Sequence, residues 1–279
     1  MKWRKVLYLD QGVPDNYVDS SFLEDFRKNA YIRHYDYWSV VTETGVVTQQ
    51  LSSICIFVVI FILMSTELAH PATILIWSLV TTAAGFIIYD LVDKGEWRKE
   101  QQRSLADNTR SALIFIAYAF GLSPVLQTLT DTVSTDTIYA MSVFMLLANF
   151  IFHDYGTSKV VVSKSLSLNA SVFASVCLAS RLPTSLHAFT TVSLALQLFA
   201  LWPELRRKLK LLYPSHQVIV TWLCFIIGVV CLMSVHTVAA VVFTIIHFSI
   251  TYAAPFWLVN LQPYKNNIHG PWDEAVIQH

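Results

Sequence analysis

The sequence predicts an all-α polytopic membrane protein with about eight transmembrane helices and both termini in the cytoplasm. Its composition is the first indication, because 54% of the 279 residues are hydrophobic and only 14% are charged, unlike a soluble domain. A second indication is the stretch 137–152, which carries no charge. As a helix it would extend roughly 24 Å, close to the hydrocarbon depth of a bilayer. Comparable apolar runs recur along the chain.

The basic residues predict the orientation of these helices. Of the 19 lysine and arginine residues, all but Arg181 fall in the amino-terminal arm, the tail, or the predicted loops 93–110, 153–165 and 204–215. Short loops rich in lysine and arginine remain on the cytoplasmic side of a membrane. We therefore expect these loops and both termini to face the cytoplasm.

Three regions follow from this pattern: a cytoplasmic amphipathic arm (1–45), a transmembrane helical bundle (46–258) and a cytoplasmic tail (259–279). In the arm, Ser21 and Glu24 have the spacing of a helix capping box, and aromatic residues recur after them at helical intervals. This predicts a helix that lies in the headgroup plane or docks on a partner protein.

Eight apolar runs predict the transmembrane spans. They are 46–66, 71–92, 111–129, 137–152, 166–181, 184–203, 216–235 and 237–258. The fourth span lies within Ser134–Tyr155. Asp136 is its expected amino-terminal cap, and His153 marks its other end. In the third, Pro124 removes a backbone donor and should kink the helix. All four cysteines lie inside apolar runs without C-x-x-C spacing, which favours buried thiols over disulfides or metal ligands.

The fifth span is short and carries Ser171, Ser175 and Ala179 at intervals of four residues. Small residues at this spacing allow helices to approach closely, so we expect this span to be the most buried by protein. It is either a short transmembrane helix or one arm of a re-entrant hairpin formed with the sixth span. Arg181 and His187 flank the corner between the two. Arg181 is expected to pair with an aspartate or to reach the headgroups, and a substrate contact is the alternative.

Asp90 and Asp93 place two carboxylates at the cytoplasmic end of the second span. Residues three apart share a helical face, so this pair could bind Mg²⁺ beside a phosphate. The pair is similar to part of the CDP-alcohol phosphotransferase motif, but the D-G and second aspartate pair of that motif do not follow. A solvated helix end is therefore favoured, and a magnesium-dependent lipid-headgroup enzyme is the alternative.

The motifs of several enzyme classes do not occur in the sequence. It contains no G-x-G-x-x-G, P-loop, D-x-D or G-x-S-x-G pattern, and its net charge of zero gives no general attraction to nucleic acid. The longest predicted segment outside the membrane is the arm 1–45, whereas a nucleotide-binding α/β domain needs more than about 100 residues. We expect no cofactor, no metal and no catalytic residue, so any nucleotide must be held by another chain.

Four stretches resemble the PIG-C family, which supplies one subunit of phosphatidylinositol N-acetylglucosaminyltransferase. They are V-S-T-D-T-I-Y-A-M-S-V-F-M-L-L at 133–147, F-A-S-V-C-L-A-S-R-L-P at 173–183, F-A-L-W-P at 199–203 and N-I-H-G-P-W-D-E-A at 267–275. The arm is similar to the family as well, at P-D-N-Y-V-D (14–19) and F-L-E-D-F-R-K-N (22–29). The similarity covers nearly the whole chain, although spans seven and eight match only in hydropathy.

This resemblance implies a multi-pass protein of the endoplasmic reticulum membrane. Its complex transfers N-acetylglucosamine from UDP-GlcNAc to phosphatidylinositol in the first step of GPI-anchor synthesis. The resemblance also implies that a PIG-A-type subunit carries the glycosyltransferase site, with other small membrane subunits as partners. The chain would then be a non-catalytic scaffold that offers a groove for phosphatidylinositol. A lipid transporter or scramblase is a further alternative, supported only by the multi-span fold.

The tail supplies one more candidate contact. Gly270 and Pro271 predict a turn that presents Trp272 beside Asp273. Acidic groups are poorly placed against an anionic leaflet, so a protein contact is favoured over a membrane anchor. The candidate partner or lipid contacts are Asp90, Asp93, Ser175, Arg181, His187, Trp272 and Asp273.

Overall fold

The fold is an all-α membrane bundle, as the sequence predicts. A computed structural model describes residues 12, 14, 17, 27–28, 34–93, 110, 114, 117, 120–125, 132–156, 164–265 and 268–269. Within these residues, six helices are long and apolar enough to cross a membrane, and a seventh, shorter apolar helix covers Ser165–Ala179. The described residues of the third predicted span, which include 120–125, are helical.

Nine α-helices form the described bundle. They are α1 (Tyr37–Ser65), α2 (Pro71–Asp93), α3 (Thr135–Phe152), α4 (Lys164–Ala179), α5 (Ser185–Leu196), α6 (Trp202–Leu212), α7 (Gln217–Val235), α8 (Thr237–Phe248) and α9 (Ala254–Leu261). The π-helical turns Gln197–Leu201 and Ser249–Ala253 join α5 to α6 and α8 to α9. Short 3-10 turns cover Pro214–His216 and Gln262–Tyr264.

Three predicted spans extend further than the hydropathy predicts, and the eighth, predicted to end at residue 258, continues through α9 to Leu261. Helix α1 begins at Tyr37 instead of residue 46, because the Asp36 carboxylate accepts a hydrogen bond from the Ser39 amide at 3.1 Å and caps it. The sixth span continues to Leu212 instead of ending at residue 203. Pro203 follows a π-helical turn and occupies the first turn of α6, where a missing backbone donor is tolerated.

Two local predictions are corrected. Arg27–Lys28 is a short strand, β1, paired antiparallel with β2 (Ile268–His269), so the helix predicted from Ser21 does not pass through it. Main-chain pairing with a distant segment decides the backbone here, and local periodicity cannot reveal it. The cap of α3 is Ser134, whose hydroxyl accepts from the Thr137 amide at 3.4 Å, while Asp136 lies in the first turn beside the positive end of the dipole.

Helix α1 lies at the centre of the bundle. Half of its most apolar stretch is buried, compared with 6% for α2 and 11% for the helix that contains α7. Helix α7 packs closely against α1 at Gly45, where an added Cβ atom would lie 2.6 Å from the Thr221 hydroxyl oxygen. Phe57 of α1 meets Phe199 edge to face, with ring centroids 5.4 Å apart, in the apolar core.

Helix α4 is buried along its small-residue face, as expected for the fifth span. Ser171, Ser175, Ala174 and Ala179 have no exposed surface. The Ser175 hydroxyl donates to the Val172 carbonyl oxygen of its own helix at 2.7 Å, so its contribution to packing is its small size. Helix α4 packs between α3 and α5.

Candidate functional site

Two buried glutamines of α1 connect the centre of the bundle to its neighbours. The Gln49 amide donates to the Thr221 hydroxyl of α7 at 2.8 Å. The Gln50 amide donates to the side-chain oxygen of Asn149 in α3 at 2.9 Å. Asn149 in turn donates to both the carbonyl and the hydroxyl oxygen of Ser167 in α4, each at 2.9 Å. This chain of bonds fixes the positions of α1, α3, α4 and α7 relative to one another.

A cavity of about 340 Å³ lies next to this network, beside the carboxyl end of α3 and along α6, which carries several basic residues. Its polar wall includes His153, Tyr155 and Arg206, and Ser167 belongs to both the cavity and the network. Its apolar wall comes from α4 and from the π-helical turn between α5 and α6. The cavity therefore combines charged and apolar lining residues.

Arg206 is the most deeply buried of the charged residues that line this cavity, and only 3% of its surface is exposed. Its guanidinium donates to the Val46 carbonyl oxygen at 3.3 Å and to the His153 Nε2 atom at 2.7 Å. Because a guanidinium has no acceptor, His153 must accept through Nε2 and carry its proton on Nδ1. Both partners are neutral, and within the described part of the chain no carboxylate comes within ion-pair distance of Arg206.

The other charges at the rim are compensated. Arg207 pairs with Glu204 at 2.9 Å, and Lys210 pairs with Glu43 of α1. Asp154 accepts a hydrogen bond from the Gly156 amide at 2.9 Å, in a turn where Gly156 has a positive φ of 88°. Arg206 therefore differs from these neighbours, because its charge is buried and both of its hydrogen-bond partners are neutral.

Tyr155 lines the same cavity beside His153. Its ring meets His153 edge to face at 5.1 Å, and its hydroxyl donates to the Phe150 carbonyl oxygen at 2.5 Å. Burial raises the pKa of the Tyr155 phenol, and the positive charge of Arg206 offsets part of that rise. The phenol is thus a neutral hydrogen-bond donor that holds the chain in place after α3.

The described residues that the sequence predicts as contacts lie outside this cavity. Asp90 is partly buried near the end of α2, and Asp93 is the last residue of that helix. Ser175 is fully buried in α4. Trp272 and Asp273 lie outside the described residues. Among the described residues, no three His, Cys, Asp or Glu side chains are grouped so that they could hold a metal ion.

Arg181 and His187 occupy the end of α3 and α4 opposite the cavity. The Arg181 guanidinium donates to the Val133 carbonyl oxygen at 2.9 Å. His187 packs at the start of α5, where its Nδ1 atom lies 2.7 Å from the Thr184 hydroxyl. That hydroxyl also accepts from the His187 amide at 3.4 Å and caps the helix. Both side chains thus contribute hydrogen bonds to this end of the bundle.

The sequence interpretation did not identify Arg206 and His153 as a site. It assigned Arg206 to a cytoplasmic loop and His153 to a helix end. One signal could have shown that the helix continues, since Leu205, Leu209 and Leu212 recur at helical spacing after Pro203. The approach of His153 to Arg206 depends on tertiary packing that brings the residue after α3 to α6, which no local pattern indicates.

Comparisons with known proteins identify the family. The family model described as phosphatidylinositol N-acetylglucosaminyltransferase matches residues 3–273. The chain belongs to this family. A human relative, named as the C subunit of phosphatidylinositol N-acetylglucosaminyltransferase, is 53% identical over 278 residues, covering 100% of this chain and 94% of the human protein. Its rat counterpart is 52% identical over the same length and coverage.

A more distant relative is also similar over nearly the whole chain. The phosphatidylinositol N-acetylglucosaminyltransferase GPI2 subunit of Schizosaccharomyces pombe is 35% identical over 279 residues, covering 98% of this chain and 86% of that protein. No solved structure matches the chain. These matches confirm the resemblance to the PIG-C family and extend it over spans seven and eight.

Proposed function

We propose that this chain is the C subunit of a phosphatidylinositol N-acetylglucosaminyltransferase and acts as a non-catalytic membrane scaffold. The family match across residues 3–273 is the observation that carries the proposal. The complex would transfer N-acetylglucosamine from UDP-GlcNAc to phosphatidylinositol in the endoplasmic reticulum membrane, as the first step of GPI-anchor synthesis. A PIG-A-type partner subunit would hold the nucleotide sugar.

The distribution of burial is consistent with a scaffold. Among the described residues, helix α2 packs against α5 and α6, whereas its side chains Trp77 and Ile87 are 65% and 58% exposed. Its hydropathy suits a membrane, so these exposed side chains are available to lipid or to other membrane helices. In contrast, the buried polar side chains of α1 bond to neighbouring helices of the same chain. A rigid centre with apolar outer faces suits assembly with other helices.

Co-purification and a transfer assay test the proposal. The tagged chain is isolated once alone and once with the membrane proteins that accompany it, and each sample receives UDP-GlcNAc and phosphatidylinositol. We expect transfer by the assembled sample and none by the isolated chain. Transfer by the isolated chain would replace the scaffold with an enzyme, and failure to recover any glycosyltransferase with it would refute membership in such a complex.

A further inference from the structure

The buried charge of Arg206 needs a partner that the described residues do not supply. A cation removed from water is costly unless an anion or several acceptors compensate it. Arg206 has two neutral acceptors, the Val46 carbonyl and the His153 imidazole, and the nearby carboxylates of Glu204 and Glu43 are paired with other cations. A planar guanidinium with remaining N–H donors is well suited to bind a phosphate.

The rest of the cavity restricts what kind of anion fits. Its apolar wall contains Leu168, Phe199 and Leu201, and 53% of the Leu201 surface is exposed on the outside of the bundle. Leu201 lies within the continuous helical segment Ser185–Leu212, whose hydropathy is that of a membrane span. The cavity therefore borders the region that acyl chains occupy. Its volume, about 340 Å³, is within the usual range of small-ligand sites, roughly 300–1,000 Å³.

We propose that this cavity binds the headgroup of an anionic phospholipid, with the phosphate on Arg206 and the acyl chains leaving past Leu201. His153 fixes the guanidinium, and the Gln50–Asn149–Ser167 network holds the wall behind it. This proposal rests on the proposed function and deepens it, because the scaffold subunit would then hold the lipid acceptor.

The rim predicts a preference among anionic headgroups. Asp154 lines the cavity, and its carboxylate oxygens accept hydrogen bonds from hydroxyl groups. Arg206, Arg207 and Lys210 line the cavity together with Asp154 and Glu204, so these side chains carry one net positive charge, which a single phosphodiester neutralises. A headgroup with one phosphodiester and several hydroxyls satisfies both conditions. Phosphatidylinositol has this chemistry, whereas phosphatidylserine places a carboxylate near the two acidic groups.

Lipid binding by the purified full-length chain tests the site. The probes are dioctanoyl-phosphatidylinositol, dioctanoyl-phosphatidylserine, dioctanoyl-phosphatidylcholine and inorganic phosphate, each titrated into the detergent-solubilised protein while thermal stability is followed. We expect saturable stabilisation by phosphatidylinositol at concentrations roughly tenfold lower than for phosphatidylcholine, because only the former leaves a net anion on the guanidinium. Phosphatidylserine should fall between them. Equal effects of phosphatidylinositol and phosphatidylcholine would overturn the proposal, and saturation by inorganic phosphate alone would assign the cavity to a free anion.

Three variants connect binding to the cavity. Arg206→Gln should weaken phosphatidylinositol binding by at least about tenfold, since it removes the charged donor. Lys208→Gln is the matched control, because Lys208 lies on the same helix, over the Tyr89 ring at 5.9 Å, and does not line the cavity. Leu201→Trp changes an exposed residue and should block the apolar exit without disturbing the buried arginine.

The Leu201 variant keeps the test decisive if Arg206→Gln does not fold. Wild-type affinity in Leu201→Trp, or the same loss in Lys208→Gln, would refute the assignment. These measurements use the isolated chain, whereas the proposed scaffold function is tested by the partners it recovers. Either can therefore fail without the other.

Discussion

Asn149 connects three helices through one amide group. It accepts from Gln50 of α1 and donates twice to Ser167 of α4, and it has no exposed surface. Interhelical hydrogen bonds in membranes contribute about 0.6 kcal/mol each on average, so Asn149→Ala should lower the free energy of unfolding by about 2 kcal/mol. Thermal unfolding in detergent measures the change. Asn169→Ala, an exposed position on α4, is the control, and equal losses in both variants would contradict this role.

Asp90 and Asp93 provide the test of the alternative enzyme hypothesis. We expect Asp90→Asn combined with Asp93→Asn to leave transfer by the assembled complex within about tenfold, because loss of a catalytic metal site generally costs more. The measurement is the transfer assay on complex whose subunit content has been verified. A loss of several orders of magnitude with the subunits intact would instead support a magnesium-dependent reaction on the lipid headgroup.

At the scale of the helices, the contact between α1 and α7 depends on the absence of a side chain at Gly45. A Cβ atom there would approach the Thr221 hydroxyl to 2.6 Å, and this hydroxyl already accepts from Gln49. Gly45→Ala should therefore cost about 1–3 kcal/mol of stability, as overpacking in a close contact usually does. Gly85→Ala is the control, since its nearest atom would be the Leu205 Cδ2 at an ordinary 3.6 Å.

The outcome is read from the thermal unfolding of the two glycine variants in detergent. Gly85→Ala should be neutral or slightly stabilising, because alanine is favoured over glycine inside a helix by about 0.5–1 kcal/mol. Gly45→Ala should unfold at a clearly lower temperature. An equally stable Gly45→Ala protein would show that α7 can move away from α1 without cost.

Hydropathy locates the helices, because each transmembrane helix needs enough apolar residues to cross the hydrocarbon core of the bilayer. Helix ends that depend on a capping side chain or on a local turn could not be predicted from hydropathy. The π-helical turn before Pro203 allows α6 to continue, and the Asp36 cap extends α1 into polar sequence. Neither the turn nor the cap changes the local hydropathy enough to shift the helix end that hydropathy predicts.

The candidate site was less predictable than the helices, because its parts come from distant positions. Arg206 belongs to α6, its acceptors Val46 and His153 belong to α1 and the end of α3, and their meeting follows from packing. The sequence does show the small residues of the fifth span, and the burial of Ser175 agrees with that pattern. A close-packed face is a local property, whereas a charge buried between three helices is a tertiary one.

At the scale of the whole molecule, the positions of the termini define the topology. The pairing of Arg27–Lys28 with Ile268–His269 requires the arm and the tail to lie on the same side of the bundle. We expect that side, with residues 93–110 and 204–215, to face the cytoplasm. Single cysteines at Arg98 and Arg207, in a background without the native cysteines, should react with an impermeant thiol reagent in sealed microsomes. Leu68→Cys in the opposite loop should react only after permeabilisation, and the reverse pattern would invert the orientation.

The tail carries the last prediction, because strand β2 holds it against the arm only three residues before Trp272. A tryptophan close to a fixed strand loses little freedom on binding, and large aromatic residues dominate many protein interfaces. Asp273 beside it disfavours insertion into an anionic leaflet. We therefore expect Trp272→Ala to reduce recovery of the partner subunits several-fold, on the order of the 1–2 kcal/mol typical of an interface hot spot, while the protein remains inserted and abundant.

Quantitative co-purification from membranes measures this effect, with Trp257→Ala as the matched control. Trp257 is 69% exposed on α9, within a membrane span, so its loss should remove only a lipid contact. The two variants separate the two roles of an exposed tryptophan at this end of the chain. If both recover the partners as well as the wild type does, Trp272 is a membrane anchor. If only Trp272→Ala loses them, the tail and the arm paired with it form a contact surface for another subunit.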